Sequence, residues 1–428
     1  MNCTVEQEQS QIRHEPAEAM LSQAVSLSSQ PSLPSLPSLG PRDTNVSPSL
    51  HQCVATLKGG HSSYVSALAV AGDSLYSASS DGRIRVWPLD DASRRREQLG
   101  DDDDGCSGSG GGGTVVAACS SSVKCLLATG GGLLLSSHQD GKIRAWRVGS
   151  RKDGTRRLVQ SAVLPTVVDR LRTCLMPWSY VEVRRHRRRT WVHHVDAVTA
   201  LAVSPDGALL YSASWDRSVK VWRLPDFRCV ESVAPAHDDA INALAVSPDG
   251  HVYTGSADKK IKAWRRDPER KNKHVLVATM ERHRSAVNAL ALGVDGKVLY
   301  SGACDRSVVV WERAAGGLME ATGTLRGHAK AILCLAAAGD VVCSGSADRT
   351  VRVWRRGAGN TGYACLAILD GHGAAVKSLA MVYGRERGSC SRWEDGSSSG
   401  GGSSGGSALV CSGGLNGEVK IWSVLVPC

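Results

Sequence analysis

The sequence predicts an all-β fold built from seven copies of one unit. Each copy carries a turn residue and a tryptophan six positions apart, and the turn residue is Asp in six copies and Asn416 in the last. Apolar residues lie one and three places before the tryptophan, which is the period of a strand with one buried face. The copies are SASSDGRIRVW (77–87), SSHQDGKIRAW (136–146), SASWDRSVKVW (212–222), TGSADKKIKAW (254–264), SGACDRSVVVW (301–311), SGSADRTVRVW (344–354) and SGGLNGEVKIW (412–422).

The remaining strands of the unit are placed by the turn acid and by a histidine upstream. Asp followed by Gly, Arg or Lys predicts a tight turn between two strands. In six copies a histidine stands a few residues before a further apolar strand, as in HDDAINALAVSPDG (237–250), whereas copy two has Cys119 near this place. Each unit therefore reads as four short strands, the last of which ends at the tryptophan.

This spacing, with a GH-type start and a tryptophan at the end, resembles the WD40 repeat over roughly residues 51–426. The resemblance implies a seven-bladed β-propeller with four antiparallel strands in each blade. The residue after the tryptophan is never Asp, so the WD dipeptide is absent. The WDxR-type pattern of cullin-ligase substrate receptors is absent with it, and we disfavour that alternative function.

The two ends of the repeat region predict how the ring closes. Only SVLVPC (423–428) follows the last tryptophan, and it is too short for another full strand and turn. The strand-like run HQCVATLKG (51–59) precedes the first histidine. Pairing of this run with the last blade would remove an open sheet edge. We therefore expect the N-terminal strand to close the last blade.

The WD40 resemblance also implies a buried chain of polar side chains that runs from Trp through Ser or Thr to His and Asp. Such groups must find partners when they are buried, and each one supplies the next. The members in this sequence are His61, Ser77, Asp81, Trp87, His194, Ser212, Asp216, Trp222, His237, Thr254, Asp258, Trp264, His283, Ser301, Asp305, Trp311, His328, Ser344, Asp348, Trp354, His372, Ser412, Asn416 and Trp422.

Ser, His and Asp in one set also suggest a hydrolase triad. Seven equivalent sets argue instead for a structural role, and the sequence has no GxSxG nucleophile elbow. Its 14 cysteines form no CxxC pair, which argues against a zinc site. We expect no catalytic residues, no metal and no cofactor.

Segments of biased composition flank and interrupt the predicted propeller domain, 51–428. Residues 1–50 are rich in Ser and Pro, and we expect them to be disordered. We expect insertions at 89–114 (acidic and Gly-rich), 151–192 (basic) and 384–407 (Gly/Ser-rich). No apolar stretch reaches the roughly 20 residues that span a bilayer, and we recognise no secretory signal, so we expect no membrane association.

Most of the net charge of +10 lies in the connector 151–192, which has eleven Arg and Lys residues against three acids. We expect a helix and an extended arm in it. The arm has four interpretations: nuclear import, docking of an acidic partner, contact with nucleic acid or chromatin, and a solvated charge run. Too few aromatics flank it for a single-strand stacking platform. The basic arm consists of Arg184, Arg185, Arg187, Arg188 and Arg189.

Several segments resemble plant WD40 proteins of the Jingubang type. They include YVEVRRHRRRTWVHHVDAVTALAV (180–203), LLYSASWDRSVKVWRLPDFRCVES (209–232), AHDDAINALAV (236–246) and VYTGSADKKIKAWRR (252–266). The resemblance implies a non-enzymatic regulator in cytoplasm and nucleus. It would restrain pollen germination and pollen-tube growth through contacts with regulatory proteins such as transcription factors.

Propellers of this kind usually bind partners on the rim around the channel, where the Asp turns and the strand starts project. We expect a monomeric scaffold that binds other proteins there. Trp215 has two readings: it anchors a partner, or it packs under a neighbouring loop. The candidate partner-binding residues are Tyr64, Ser66, Gln139, Thr199, Trp215, Asn242, Asn288 and Lys377.

Overall fold

Seven antiparallel sheets of four strands carry the repeats in this computed structural model. The structure describes residues 51–89, 113–150, 156–174, 180–184, 187–357, 362–385 and 406–427. The predicted tail 1–50 and most of the insertions 89–114 and 384–407 lie outside the described residues. Each sheet is one blade, and its strands are labelled a to d from the inside of the ring outward.

The first three blades hold the following strands, given in the order a to d. Blade one consists of Val65–Ala71 (β2), Ser74–Ser79 (β3), Arg83–Pro88 (β4) and Thr114–Ala118 (β5). Blade two consists of Val123–Ala128 (β6), Leu133–His138 (β7), Ile143–Ser150 (β8) and Arg156–Leu164 (β9). Blade three consists of Val198–Val203 (β12), Leu209–Ser214 (β13), Val219–Arg223 (β14) and Arg228–Val233 (β15).

The other four blades repeat this pattern. Blade four consists of Ile241–Val246 (β16), Val252–Ser256 (β17), Lys260–Asp267 (β18) and Lys273–Glu281 (β19). Blade five consists of Val287–Leu292 (β20), Val298–Ala303 (β21), Val308–Arg313 (β22) and Met319–Leu325 (β23). Blade six consists of Ile332–Ala338 (β24), Val341–Ser346 (β25), Val351–Arg356 (β26) and Tyr363–Leu369 (β27). Blade seven consists of Val376–Arg385 (β28), Gly406–Gly414 (β29), Val419–Val426 (β30) and, as strand d, His51–Leu57 (β1).

The ring closes through strand β1, which confirms the predicted closure. β1 runs antiparallel to β30, with Leu57 opposite Val419 and Cys53 opposite Trp422. Each a strand contacts the a strands of the neighbouring blades, and β28 contacts β2. The seven a strands therefore surround a central channel. The sequence unit and the blade are offset by one strand, because each unit begins with the d strand of the preceding blade.

The cores lie between neighbouring blades. In one core, Trp264 of blade four packs with Tyr211 and Val221 of blade three. In another, Trp222 of blade three packs with Leu135 and Ile143 of blade two. Because each tryptophan fills space next to the preceding blade, a blade cannot bury its apolar face alone, and closure stabilises the whole ring.

The basic connector has secondary structure of its own. β9 serves as strand d of blade two, and the helix Val167–Cys174 (α1) follows it. Asp169 of α1 is buried and accepts a hydrogen bond from the backbone N–H of Cys229, at 3.0 Å. The expected helix is therefore present, and it lies against the outer strand of blade three. No helix of the described segments is long and apolar enough to cross a membrane.

The basic arm forms a two-stranded hairpin. Its strands are Tyr180–Arg184 (β10) and Arg187–Thr190 (β11), and Arg184 lies opposite Arg187 in the backbone register. Glu182 lies opposite Arg188. Arg185 lies outside the described residues. The expected extended arm is thus a hairpin at the level of its backbone.

Candidate functional site at the channel mouth

Four blades contain a complete chain of polar side chains, and blade three shows its geometry. The indole N–H of Trp222 donates to Ser212 Oγ at 2.9 Å. Ser212 Oγ lies 2.8 Å from His194 Nε2, and His194 Nδ1 lies 3.1 Å from Asp216 Oδ2. These distances fit a hydroxyl that donates to Nε2 and an imidazole N–H that donates to the carboxylate. Blades four, five and six repeat the chain, with His–Asp distances of 2.8, 2.9 and 2.8 Å.

The chain departs from this pattern in blades one and two. In blade one, His61 Nδ1 lies 3.6 Å from Asp81, beyond hydrogen-bond reach. Blade two lacks the loop histidine, but His138 of its b strand takes that place. Its Nε2 lies 2.8 Å from Ser136 Oγ, and its Nδ1 lies 3.3 Å from the backbone oxygen of Ser121. In the sequence, His138 is the histidine of SSHQDG (136–141), and its presence there indicates this replacement.

Blade seven also lacks the final bond of the chain. His372 Nε2 lies 2.7 Å from Ser412 Oγ, as in the other blades. Its Nδ1 lies 3.9 Å from Glu418 and has no hydrogen-bond partner among the described residues. Asn416, which replaces the turn acid, accepts a hydrogen bond from the backbone of Glu418 at 3.3 Å instead. The polar chain of blade seven therefore lacks the hydrogen bond between the histidine and a turn acid.

Burial decides the charge of the histidines in these chains. It lowers the pKa of His138 and of His372 to about 4. It also lowers the pKa of His194, although Asp216 beside it favours the charged form. Burial would raise the pKa of Asp216, but hydrogen bonds from His194 and Ser218 hold it far below its usual range. The histidines of blades two, three and seven are therefore neutral at neutral pH.

The geometry of the chain does not suit a hydrolase. The hydroxyl-bearing residue of every chain has no solvent-exposed surface, including Ser212, Thr254 and Ser412. A substrate carbonyl could not approach such an oxygen within attacking distance. The described segments also contain no group of three or more His, Cys, Asp or Glu residues placed to hold a metal ion.

A ring of bulged residues surrounds the mouth of the channel. In all seven a strands the pairing with strand b shifts after the first residue, as between Val198 and Ala200. A β-bulge re-aims the side chain of the extra residue. We call these seven positions the bulge ring; they are Ser66, Lys124, Thr199, Asn242, Asn288, Leu333 and Lys377.

Three of the predicted partner-binding residues connect neighbouring blades. Thr199 Oγ1 donates to the backbone oxygen of Ile241 at 2.6 Å. Asn242 Nδ2 donates to Val287 O at 3.0 Å, and Asn288 Nδ2 donates to Ile332 O at 2.8 Å. Each bond joins one a strand to the next, so these side chains hold the ring together as well as lining it. A fourth candidate, Ser66, bonds within its own blade, to Ala78 O at 3.2 Å.

An aromatic and cationic cluster spans blades one to four at the mouth. Lys124 Nζ donates to the hydroxyl of Tyr64 at 3.3 Å and lies 5.2 Å from the ring centroid of Trp215. The indole N–H of Trp215 donates to Asn242 Oδ1 at 3.2 Å. Tyr64, Lys124 and Trp215 are all partly exposed. Trp215 therefore packs against its neighbours and still presents part of its ring to solvent.

Two further candidates, Lys377 and Gln139, are exposed at the mouth. Burial among the channel walls lowers the pKa of Lys377, and so does the positive charge of Lys124. Part of the Lys377 side chain is exposed to solvent and protein surrounds the rest, so its exposure and its lowered pKa are consistent. Lys377 has no hydrogen bond or ion pair with a described residue. An anion that entered the mouth would meet this free ammonium group.

Sequence reasoning missed Lys124 and Leu333 of the bulge ring. Both stand directly after the first buried residue of their a strand, in the same register as Thr199 and Asn242. Copy two lacks the upstream histidine that marks the start of strand a in the other copies. The position of Lys124 could therefore not be assigned by spacing from a histidine. An alignment of the seven a strands on their first buried residue would have identified both Lys124 and Leu333.

Five segments of the chain match the family model described as "WD domain, G-beta repeat". The matched residues are 51–88, 185–223, 227–265, 274–312 and 319–355. These segments leave out copies two and seven, where His138 and Asn416 mark departures from the polar chain.

Curated relatives match shorter parts of the chain. Bovine "Transducin beta-like protein 3" is 27% identical over 155 residues, which is 33% of this chain and 19% of that protein. Human "Striatin-4" is 50% identical over 42 residues, which is 10% of this chain and 6% of that protein. The chain thus spans only a minor part of the length of these relatives.

A solved structure shows the same architecture. The WD40 β-propeller domain of Doa1 superimposes with a TM-score of 0.56 and covers 87% of this chain and 96% of that domain, at 20% sequence identity. At this identity the likeness concerns the fold alone. The chain therefore folds as a seven-bladed β-propeller, and five of its segments match the WD40 repeat.

Proposed function

We propose that this propeller is a non-catalytic, monomeric scaffold that binds other proteins at the mouth of its channel. One observation carries the proposal: Tyr64, Lys124 and Trp215 form a partly exposed cluster beside the free Lys377. Trp and Tyr side chains are enriched in binding hot spots, because they combine a large apolar surface with a hydrogen-bonding group. The Ser and Thr hydroxyls of the polar chains have no solvent-exposed surface, so they are not accessible from this face.

The specific form of the proposal rests on the Jingubang-type segments. We propose that the protein restrains pollen germination and pollen-tube growth, and that it does so in cytoplasm and nucleus through regulatory proteins such as transcription factors. Loss of the gene product should then speed pollen germination, and a fluorescent fusion should occupy both compartments. Normal germination without the protein would contradict this form and leave the general scaffold proposal standing.

Capture of partners by a single-site variant tests the general proposal. Trp215→Ala should weaken capture, because it removes the exposed aromatic surface, and should leave the melting temperature nearly unchanged. Phe227→Ala is the matched control, since Phe227 is a partly exposed aromatic in the c–d turn of the same blade, on the opposite face. Equal loss of partners in both variants, or none in either, would contradict binding at the mouth.

A second candidate function uses the basic hairpin to contact nucleic acid or chromatin. The observation that favours it is the backbone pairing of Arg184 with Arg187, which brings arginines of both strands together at one end of the hairpin. Binding to duplex DNA should then fall steeply as salt rises, because neutralised phosphates release counterions. Absent or salt-insensitive binding would eliminate this candidate.

A further inference from the structure

Blades five and six each present two exposed cations on the mouth face, which is the face that carries the b–c turns and the loops entering each blade. In blades three and four the b–c turn also carries an exposed cation, but the loop entering the blade carries exposed aspartates instead. Arg284 and Lys330 lie in the loops that enter blades five and six, respectively. Arg306 and Arg349 lie in the b–c turns of the same two blades. All four side chains are exposed. We call these four residues the basic sector.

Two aspartates hold the loops and turns of this sector together. The backbone N–H of Arg284 donates to Asp305 Oδ2 at 3.0 Å, so Arg284 lies beside the turn that contains Arg306. In blade six, the N–H of Ala329, next to Lys330, donates to Asp348 Oδ2 at 2.9 Å. Each blade therefore brings one loop cation and one turn cation to the same place.

These aspartates are already committed to internal hydrogen bonds. Asp305 lies 2.9 Å from His283 Nδ1 and accepts a bond from Ser307 Oγ at 2.5 Å. Although burial would raise it, hydrogen bonds from His283, Ser307 and the backbone of Arg284 lower the pKa of Asp305 to about 2. Asp348 lies 2.8 Å from His328 Nδ1 and accepts a bond from Thr350. No cation of the basic sector has an ion pair with a described residue.

The backbone of the b–c turn does not itself require a basic residue. Arg306 and Arg349 have φ angles of 68° and 74°, in the left-handed region that favours glycine. Glycine occupies the same turn position in blades one, two and seven, as at Gly82 and Gly417. The turn thus forms with glycine, and the exposed arginines are additions to it.

Acidic residues bound the basic sector on both sides. Asp238 and Asp239 are exposed in the loop entering blade four, where Asp238 Oδ2 lies 4.0 Å from Lys260 Nζ, and Asp370 is exposed in the loop entering blade seven. Towards the channel, the sector is continued by the free Lys377. An extended polyanion such as duplex DNA would cross the flanking acids and be repelled by them. A short acidic segment of a protein would fit between them.

We propose that the basic sector and Lys377 bind a short Asp- or Glu-rich segment of a protein partner. This inference rests on the proposed function, because it assigns a chemistry to a partner at the mouth face. Carboxylates of the segment would pair with Arg306 and Arg349, and one carboxylate would reach Lys377 at the channel mouth. Guanidinium groups suit this role since they bind carboxylates in a bidentate manner.

Fluorescence anisotropy with a labelled oligoglutamate peptide tests the proposal. The double variant Arg306→Gly and Arg349→Gly should weaken binding about fivefold or more, as expected for the loss of two surface ion pairs. The fold should be retained, because glycine serves at this position in three other blades. Arg217→Gly is the matched control: it occupies the same turn in blade three, with φ 65°, outside the sector.

Each outcome of the experiment decides the proposal. Weaker binding in the double variant with unchanged binding in Arg217→Gly supports it, as does weaker binding in Lys377→Met. Equal affinity of wild type and double variant overturns it, and so does tighter, sector-dependent binding of duplex DNA. If Trp215→Ala loses partners while the double variant captures all of them, the proposed function at the channel mouth is supported. Only the proposal of an acidic segment is then wrong.

Discussion

Blade seven lacks the last hydrogen bond of the polar chain because Asn416 and Glu418 stand where blade three has Asp216 and Ser218. The Nδ1 atom of His372 is buried and has no hydrogen-bond partner among the described residues. The carboxylate of Glu418 is 3.9 Å away from it. We expect the double substitution Asn416→Asp and Glu418→Ser to supply the missing acceptor and to stabilise the fold.

The size of the gain follows from the contacts that change. A buried donor without a partner costs about 1–3 kcal/mol, and the repaired bond removes that cost. The substitution also removes the contacts of Glu418 with Lys58 and Lys420, both at 3.8 Å. Lys58 is largely exposed, so its pair contributes at most about 1 kcal/mol. Lys420 is buried but keeps its hydrogen bond to Thr56 Oγ1 at 3.0 Å, so the loss of its longer contact with Glu418 should cost about as little. The free energy of unfolding should therefore rise by about 1–2 kcal/mol.

Urea unfolding near neutral pH measures this change. The reciprocal variant, Asp216→Asn and Ser218→Glu, transfers the defect to blade three and should lose a similar amount of stability. The reasoning would be refuted if the repaired blade seven were no more stable than wild type while the reciprocal variant was destabilised. That result would mean that the unpaired nitrogen of His372 carries no cost.

Three further predictions concern the ring and its histidines. Deletion of residues 51–57 should lower the free energy of unfolding by more than about 3 kcal/mol, since it exposes the edge of β30 and removes the buried Leu57. An unchanged melting temperature would argue against closure by β1. Ser212→Ala leaves a buried indole N–H and an imidazole nitrogen without partners, so it should lower the free energy of unfolding in urea by about 2–4 kcal/mol. Ser301→Ala in blade five should lower it by a similar amount if the role is structural in every blade. Stability should fall as the pH drops below 6.5 towards 4, because the unfolded chain protonates His138 and His372 before the folded state does. Each histidine should account for up to about 3 kcal/mol of that loss; His138→Gln should make the loss shallower, and a pH-independent urea midpoint would exclude this linkage.

The fold could be predicted because the repeat signal is redundant. Seven copies fix the positions of strands b and c, and the upstream histidines fix strand a. Closure followed from the ends of the repeat region, because the residues after Trp422 are too few for a d strand and the run 51–59 supplies that strand. The register shift at the start of each a strand could not be predicted, since a bulge depends on pairing with strand b and leaves no mark in the sequence.

The candidate site was predicted only in part for the same reason. Trp215, Gln139 and Lys377 lie at the mouth with exposed surface, and their role in partner binding stays a prediction. The side chains of Asn242 and Asn288 bond to the next blade, which depends on a neighbour that sequence spacing does not specify. His138 shows that a polar chain can recruit a partner from another strand when the usual loop residue is missing.

Hydrogen–deuterium exchange of the propeller with a captured partner tests the central claim most directly. The claim is that the mouth of the channel is the binding face of the scaffold. We predict slower exchange in the b–c turns and in the loops entering the blades, with no change in the a–b loops on the opposite face. Protection confined to the opposite face or to the outer strands would contradict the account.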